Sequence, residues 1–320
     1  MRSFSPFACT LIAGLALGQT GATNPPNAVR LTKYVLGVAD LDRSYAFYHA
    51  LGLDLDGAAT LSKPSVLPDP LLKLVDVPVG TKFRNTMLRI PGAAFLLEVT
   101  EFSNMDLHPV APRVQDPGAS LLVFAVPDID AALASAKSHG GRVITAGDSP
   151  VAGGGPVARA VRLIDPDGYY VGLSQLAAGK APASRAIFGS MVQDSEKAAA
   201  FYKDQFGLTV QKGNWTSDYN TLLGISGAQE RAISAVIPGA AVRWDFNEIK
   251  GLDRKAYSPR IPDPGAPAIG LEVRDIDAVI TAMKAAGGAS ITRGGSIKLG
   301  NCKVGFVRDP SGILVELTQR

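Results

Sequence analysis

Apolar residues fall in short, strand-length runs broken by Asp, Gly and Pro, and the runs recur in one order of strand, helix and several strands. Leu31 to Val38 is a strand-like run. Asp40 follows as an N-cap, its carboxylate placed to accept from the free amides of a helix carrying Phe47 and Tyr48. Gly52 closes that helix, because glycine takes the left-handed conformation a C-cap needs. Phe83 to Ile90 and Ala94 to Thr100, split by Pro91-Gly92, predict a hairpin. Leu121 to Val126 restarts the pattern, with a helix from Asp128 to His139 stopped at Gly140-Gly141, and strands through Leu176.

The whole pattern is then repeated. Asp40 to Tyr48 with Leu51-Gly52-Leu53 recurs as Asp194 to Tyr202 with Phe206-Gly207-Leu208, about 154 residues on. Pro112 to Ala119 returns as Pro259 to Ala266, Asp128-Ile129-Asp130-Ala131 as Asp275-Ile276-Asp277-Ala278, and Asp165-Pro166-Asp167-Gly168 as Asp309-Pro310-Ser311-Gly312. Shared order at a nearly constant offset means duplication. Ala177 to Ala183 has linker composition, so two homologous domains are expected, 28–178 and 184–320. Each holds two strand-helix-strands units of about 65 to 85 residues.

Composition narrows the partners. Hydrophobic residues make up 46% of the 320, enough for a folded core. The 32 basic and 29 acidic residues are spread along the chain without a Lys/Arg run, which argues against a nucleic-acid or anionic-membrane partner. Residues 1–22 predict a secretory signal peptide, with Arg2 ahead of the apolar run Phe7 to Leu17. That run is well short of the roughly 20 residues a membrane-spanning helix needs. A periplasmic or secreted protein without stable membrane insertion follows. Cys9 leaves with the signal, so Cys302 stands alone and no internal disulfide forms.

Val38, Asp40, Phe47-Tyr48 and Leu51-Gly52-Leu53, the two Asp-Ile-Asp-Ala helix starts and the closing Asp-Pro-x-Gly turns resemble the vicinal oxygen chelate superfamily of glyoxalases, extradiol dioxygenases and bleomycin-resistance proteins. The resemblance spans nearly all of the mature chain. It implies an α+β fold of four βαβββ units, forming two tandem domains whose sheets curl into half-cups, two half-cups enclosing one ligand cavity. It also implies a divalent metal held by His on a unit's first strand and Glu on its last. The matching first-strand positions are Lys33, Leu121, Ile187 and Ala268, and the last-strand positions are Glu98, Gly172, Asp245 and Glu316. Three carboxylates are present at these places and no histidine. His49, His108 and His139 lie elsewhere and read as structural or solvent-facing residues.

With half-cups pairing in chain order, Asp245 and Glu316 share the second domain's cavity. They then act as an acid and base pair or hold a hard divalent cation. The plain alternative neutralises each carboxylate, Asp245 with Arg243 or Arg231 and Glu98 with Lys33 or Arg84, since buried charges are usually paired. Glu98, Lys33, the equivalent Arg84 and Arg231, Tyr170 and Trp244 are the candidate ligand-binding residues. Arg113 and Arg260 either clamp a ligand or tie the adjacent Asp116 and Asp263. The leading expectation is an exported small-molecule-binding protein, without cofactor and compatible with a homo-oligomer. The alternative is a divergent lyase, isomerase or ring-cleaving dioxygenase using Asp245 and Glu316, and a third reading is an interaction module with its cups filled by side chains.

Overall fold

The computed structural model describes residues 27–180, 186–237 and 242–320. The expected signal segment lies outside the described residues, as does the last part of the linker. The first unit holds β1 (Ala28–Val38), α1 (Leu41–Ala50), β2 (Asp54–Leu55), β3 (Ser65–Val66), α2 (Asp69–Val75), β4 (Lys82–Arg89) and β5 (Leu96–Ser103). The second holds β6 (Ser120–Ala125), α3 (Ile129–Ser138), β7 (Arg142–Val143), β8 (Val151–Ala152), β9 (Val157–Ile164) and β10 (Tyr170–Leu176). The third holds β11 (Ala186–Met191), α4 (Ser195–Phe206), β12 (Thr209–Lys212), α5 (Asn220–Leu223), β13 (Gln229–Ile237) and β14 (Val242–Lys250). The fourth holds β15 (Pro267–Val273), α6 (Ile276–Ala285), β16 (Ala289–Ser290), β17 (Ile297–Leu299), β18 (Cys302–Arg308) and β19 (Leu314–Gln319).

Among the described residues, the four long helices start as the Asp positions predict. The carboxylates of Asp40, Asp128, Asp194 and Asp275 each accept from backbone amides two or three residues on, satisfying donors that the first turn leaves open.

Pairing of the units in chain order is not what the sheets show. One sheet runs β16-β18-β19-β15-β1-β5-β4-β2 and so joins the first unit to the fourth. The other runs β12-β13-β14-β11-β6-β10-β9-β7 and joins the second to the third. The seams are antiparallel pairs, β1 with β15 and β11 with β6. The first sheet is called cup A below and the second cup B.

Strand alternation gives each sheet one face toward the helices and one toward its own cup. The helix-side faces meet back to back: Tyr34 on β1 lies 5.8 Å from Phe188 on β11, and Phe188 lies 5.3 Å from Trp244 on β14. Phe47, Tyr48, Ile129, Tyr202, Phe206 and Ile276 from the helices complete this core. Tyr48 also donates to Asp165 at 2.7 Å, locking α1 onto the turn that closes the second unit.

Candidate functional site

In cup A, register puts three charged groups on neighbouring inner positions. Val35 on β1 pairs with Glu98 on β5, Lys33 pairs with Gly270 on β15, and Gly270 pairs with Glu316 on β19. Lys33 Nζ reaches Glu98 Oε2 at 2.6 Å and Glu316 Oε2 at 2.9 Å. Asn85 on β4 donates from Nδ2 to the other oxygen of Glu98 at 2.8 Å. A register shift between Leu31 and Lys33 crowds Thr32 and Lys33 over Gly270. A Cβ at 270 would lie 2.6 Å from Thr32 Oγ1 and 2.7 Å from Lys33 Cγ, so the lysine stem runs through space that only glycine leaves open.

The three side chains are 17%, 9% and 10% exposed. Burial works against charge on Lys33, but Glu316 and Glu98 prevail and hold its pKa above the ordinary lysine value. Burial raises the pKa of Glu316, with Lys33 opposing and the Glu98 charge adding to the rise. Beyond Val35 the cup is filled. Leu72 and Leu74 of α2 pack among Val35, Ala268, Phe306 and Leu314. Thr292 fastens α2 by donating to the Leu74 carbonyl at 2.8 Å while accepting from the Phe306 amide at 2.7 Å.

Cup B repeats the plan with other residues. Leu222 and Leu223 of α5 enter it, and Thr145 donates to the Leu222 carbonyl at 2.8 Å while accepting from the Arg162 amide. Arg162 on β9 pairs with Gly172 on β10, where a Cβ would lie 2.7 Å from its Nη1. Glu230 on β13 shares this cup, its pKa pushed up to about 7 by burial, with Arg162 lowering it and Asp245 raising it. Asp245 accepts from Arg243 Nε at 2.6 Å.

The structure thus places Asp245 and Glu316 in different cups, and the shared acid and base pair expected from chain-order pairing does not form. Glu316 meets Lys33 and Glu98 instead. Arg84 and Arg231 are on the helix side. Arg84 holds Glu101 and Asp42, Arg231 holds Glu248 and Glu196, and both clamp helix starts, because Glu101 accepts from the Leu41 amide and Glu248 from the Ser195 amide. Trp244 is fully buried in the inter-sheet core and lines neither cup, as β14 alternation turns it away from Asp245. Tyr170 does enter cup B, where its hydroxyl donates to the Pro112 carbonyl. Arg113 and Arg260 tie Asp116 and Asp263, the plain reading of both.

Three site residues escaped sequence reasoning. Arg162 in Val161-Arg162-Leu163 carried a signal, a cation flanked on both sides by apolar residues. Asn85 and Glu230 carried none, since their faces depend on register. A hollow of about 480 Å³ between the end of α1 and the start of α3, lined by Leu51, Ile90 and Pro127, lies outside both cups.

The metal that the resemblance implies does not fit these residues. An ammonium only donates hydrogen bonds and cannot ligate, Ala268 supplies no donor atom, and Lys33 fills the gap between the two carboxylates. In cup B the corresponding positions are Leu121, Ile187, Gly172 and an Asp245 already bound to Arg243. Among the described residues no group of three or more His, Cys, Asp or Glu side chains comes together to hold an ion.

Family comparison agrees with this architecture. The model of the Glyoxalase/Bleomycin resistance protein/Dioxygenase superfamily matches residues 30–173 and again 186–317, and the chain belongs to that family as two tandem copies. A "Probable lactoylglutathione lyase" of Vibrio cholerae is 32% identical over 129 residues, 40% of this chain and 84% of the relative. A "Lactoylglutathione lyase" of Haemophilus influenzae is 27% identical over 128 residues, 40% of this chain and 86% of the relative. A glyoxalase I mutant from Zea mays superposes with a TM-score of 0.60 at 21% identity, covering 91% of this chain and 92% of that one. A putative dioxygenase from Bacillus subtilis gives 0.52 at 11% identity, covering 92% and 86%. Both structures share the fold.

Proposed function

We propose that this protein is an exported small-molecule-binding member of the superfamily that works without a divalent metal, with cup A as its ligand site. One observation carries the reading: Lys33 Nζ lies between Glu98 and Glu316. An ammonium has three N–H donors and the carboxylates take two. The third is the electropositive contact left for a ligand oxygen. One ammonium facing two carboxyl groups leaves the cup no excess of positive charge, which favours a neutral carbonyl-bearing ligand over an anion. Export rests on the signal-like residues 1–22.

The test is a thermal-shift screen of neutral carbonyl compounds in the presence of chelator, on the full chain and on Lys33→Met. Hits that persist in chelator and vanish in the variant are expected. Hits that need added metal, or that bind the variant equally well, contradict the proposal. Fusing residues 1–22 to a leaderless reporter tests export, and reporter retained in the cytoplasm contradicts it.

A second reading is favoured by the relatives named lactoylglutathione lyase. In it Glu316, with its raised pKa, moves a proton beside Lys33 in a metal-independent lyase. Turnover of lactoylglutathione in chelator, lost in Glu316→Gln, is its signature.

A further inference from the structure

Both cups carry a side-chain cation over a glycine and facing carboxylates. In cup A the cation is Lys33 from a first strand, over Gly270; in cup B it is Arg162 from β9, over Gly172. Different strands thus bring a tethered cation to the inner face of each cup. In cup A the carboxylates outnumber it, two against one. Their oxygens stand 2.6 and 2.9 Å from Nζ, so the gap the ammonium fills is only slightly wider than the roughly 2.0–2.6 Å that oxygen ligands keep from a divalent ion.

We propose that Glu98 and Glu316 form a divalent-cation cage whose resident cation is the chain's own Lys33, and that the tethered ammonium is what keeps an exchangeable metal out. This deepens the metal-free reading of cup A and rests on it. A lysine cannot leave by mass action, so a cation stays between the two carboxylates in any metal supply. Shortening residue 33 to a neutral imidazole or a thiolate vacates the gap and supplies a donor that Zn2+ accepts beside the two carboxylates.

The experiment uses full-length Lys33→His, Lys33→Cys and wild-type protein incubated with ZnCl2, desalted and read by elemental mass spectrometry. Each variant is expected to hold about one equivalent and wild type less than about 0.1, with Lys33→His falling back when Glu316→Gln is added. Wild type holding one equivalent that Glu316→Gln removes overturns both this inference and the metal-free reading. Empty wild type with empty but folded variants overturns the inference alone. If neither variant folds, wild-type protein labelled with 15N-lysine decides. The Lys33 ammonium signal is expected to stay sharp in about 1 mM Ni2+, and paramagnetic loss of that signal overturns the inference.

Discussion

Replacing Lys33 by Met removes one ammonium and leaves Glu98 and Glu316 facing each other with no cation between them. Both carboxylates are at most a tenth exposed, so solvent screens little of the repulsion. Breaking a buried pair by removing one partner costs about 3–5 kcal/mol, because the remaining charge is uncompensated. At about 2–4 °C per kcal/mol, the melting midpoint falls by roughly 6–20 °C at neutral pH. The loss depends on pH with a definite sign. In the variant a carboxyl pKa rises further above its unfolded value, so the folded state keeps a proton that the unfolded state releases. Stability then falls as pH rises through that window, and the deficit shrinks toward about pH 4.5. In wild type the Lys33 pKa is raised, so its contribution is complete below the ordinary 10.5 and is lost only as pH rises beyond it. Urea titrations of both proteins at about pH 7.5 and 4.5 read the difference directly. A neutral-pH deficit below about 1 kcal/mol, or a larger deficit in acid, would mean that the ammonium does not hold the two carboxylates together.

Three further outcomes follow from other contacts. Gly270→Ala places a Cβ against Thr32 Oγ1 and Lys33 Cγ, and should cost about 1–3 kcal/mol in urea unfolding; an unchanged midpoint would mean that the lysine stem has another path. Thr292→Val leaves the Leu74 carbonyl and the Phe306 amide without their hydroxyl partner, so about 1–3 kcal/mol is lost and limited proteolysis should cut within 62–80 first; an unchanged cleavage pattern contradicts the fastening role. Glu230 titrates near 7 when folded, above its ordinary 4.5, so stability falls as pH rises between these values; Glu230→Gln should flatten that slope, and an identical slope in the variant contradicts it.

The fold was legible because its signals are local. An Asp N-cap, a Gly stop and a closing Asp-Pro-x-Gly turn each act within a few residues, and their double recurrence exposed the duplication. Which half-cup joins which was not local. The β1 to β15 seam brings Lys33 against Gly270 across more than two hundred residues, and nothing in either segment names its partner. That gap misplaced the candidate site: Glu98, Glu316 and Lys33 were each visible, but Glu316 was assigned to Asp245. Arg84 and Arg231 were drawn inward for a related reason, since side-chain direction on β4 and β13 depends on a register the sequence does not print. Their acidic partners, Glu101 and Glu248, sit three residues beyond Glu98 and Asp245, on the opposite parity of the same strands.

Cup A holds the Lys33 ammonium where the fold family suggests a metal, and metal content distinguishes the two occupants. The full chain, purified without chelator and then offered Zn2+, Ni2+, Mn2+ or Fe2+, should retain less than about 0.1 equivalent of each by elemental mass spectrometry. One equivalent of any of them, lost on Glu316→Gln, would mean that cup A is a metal site after all.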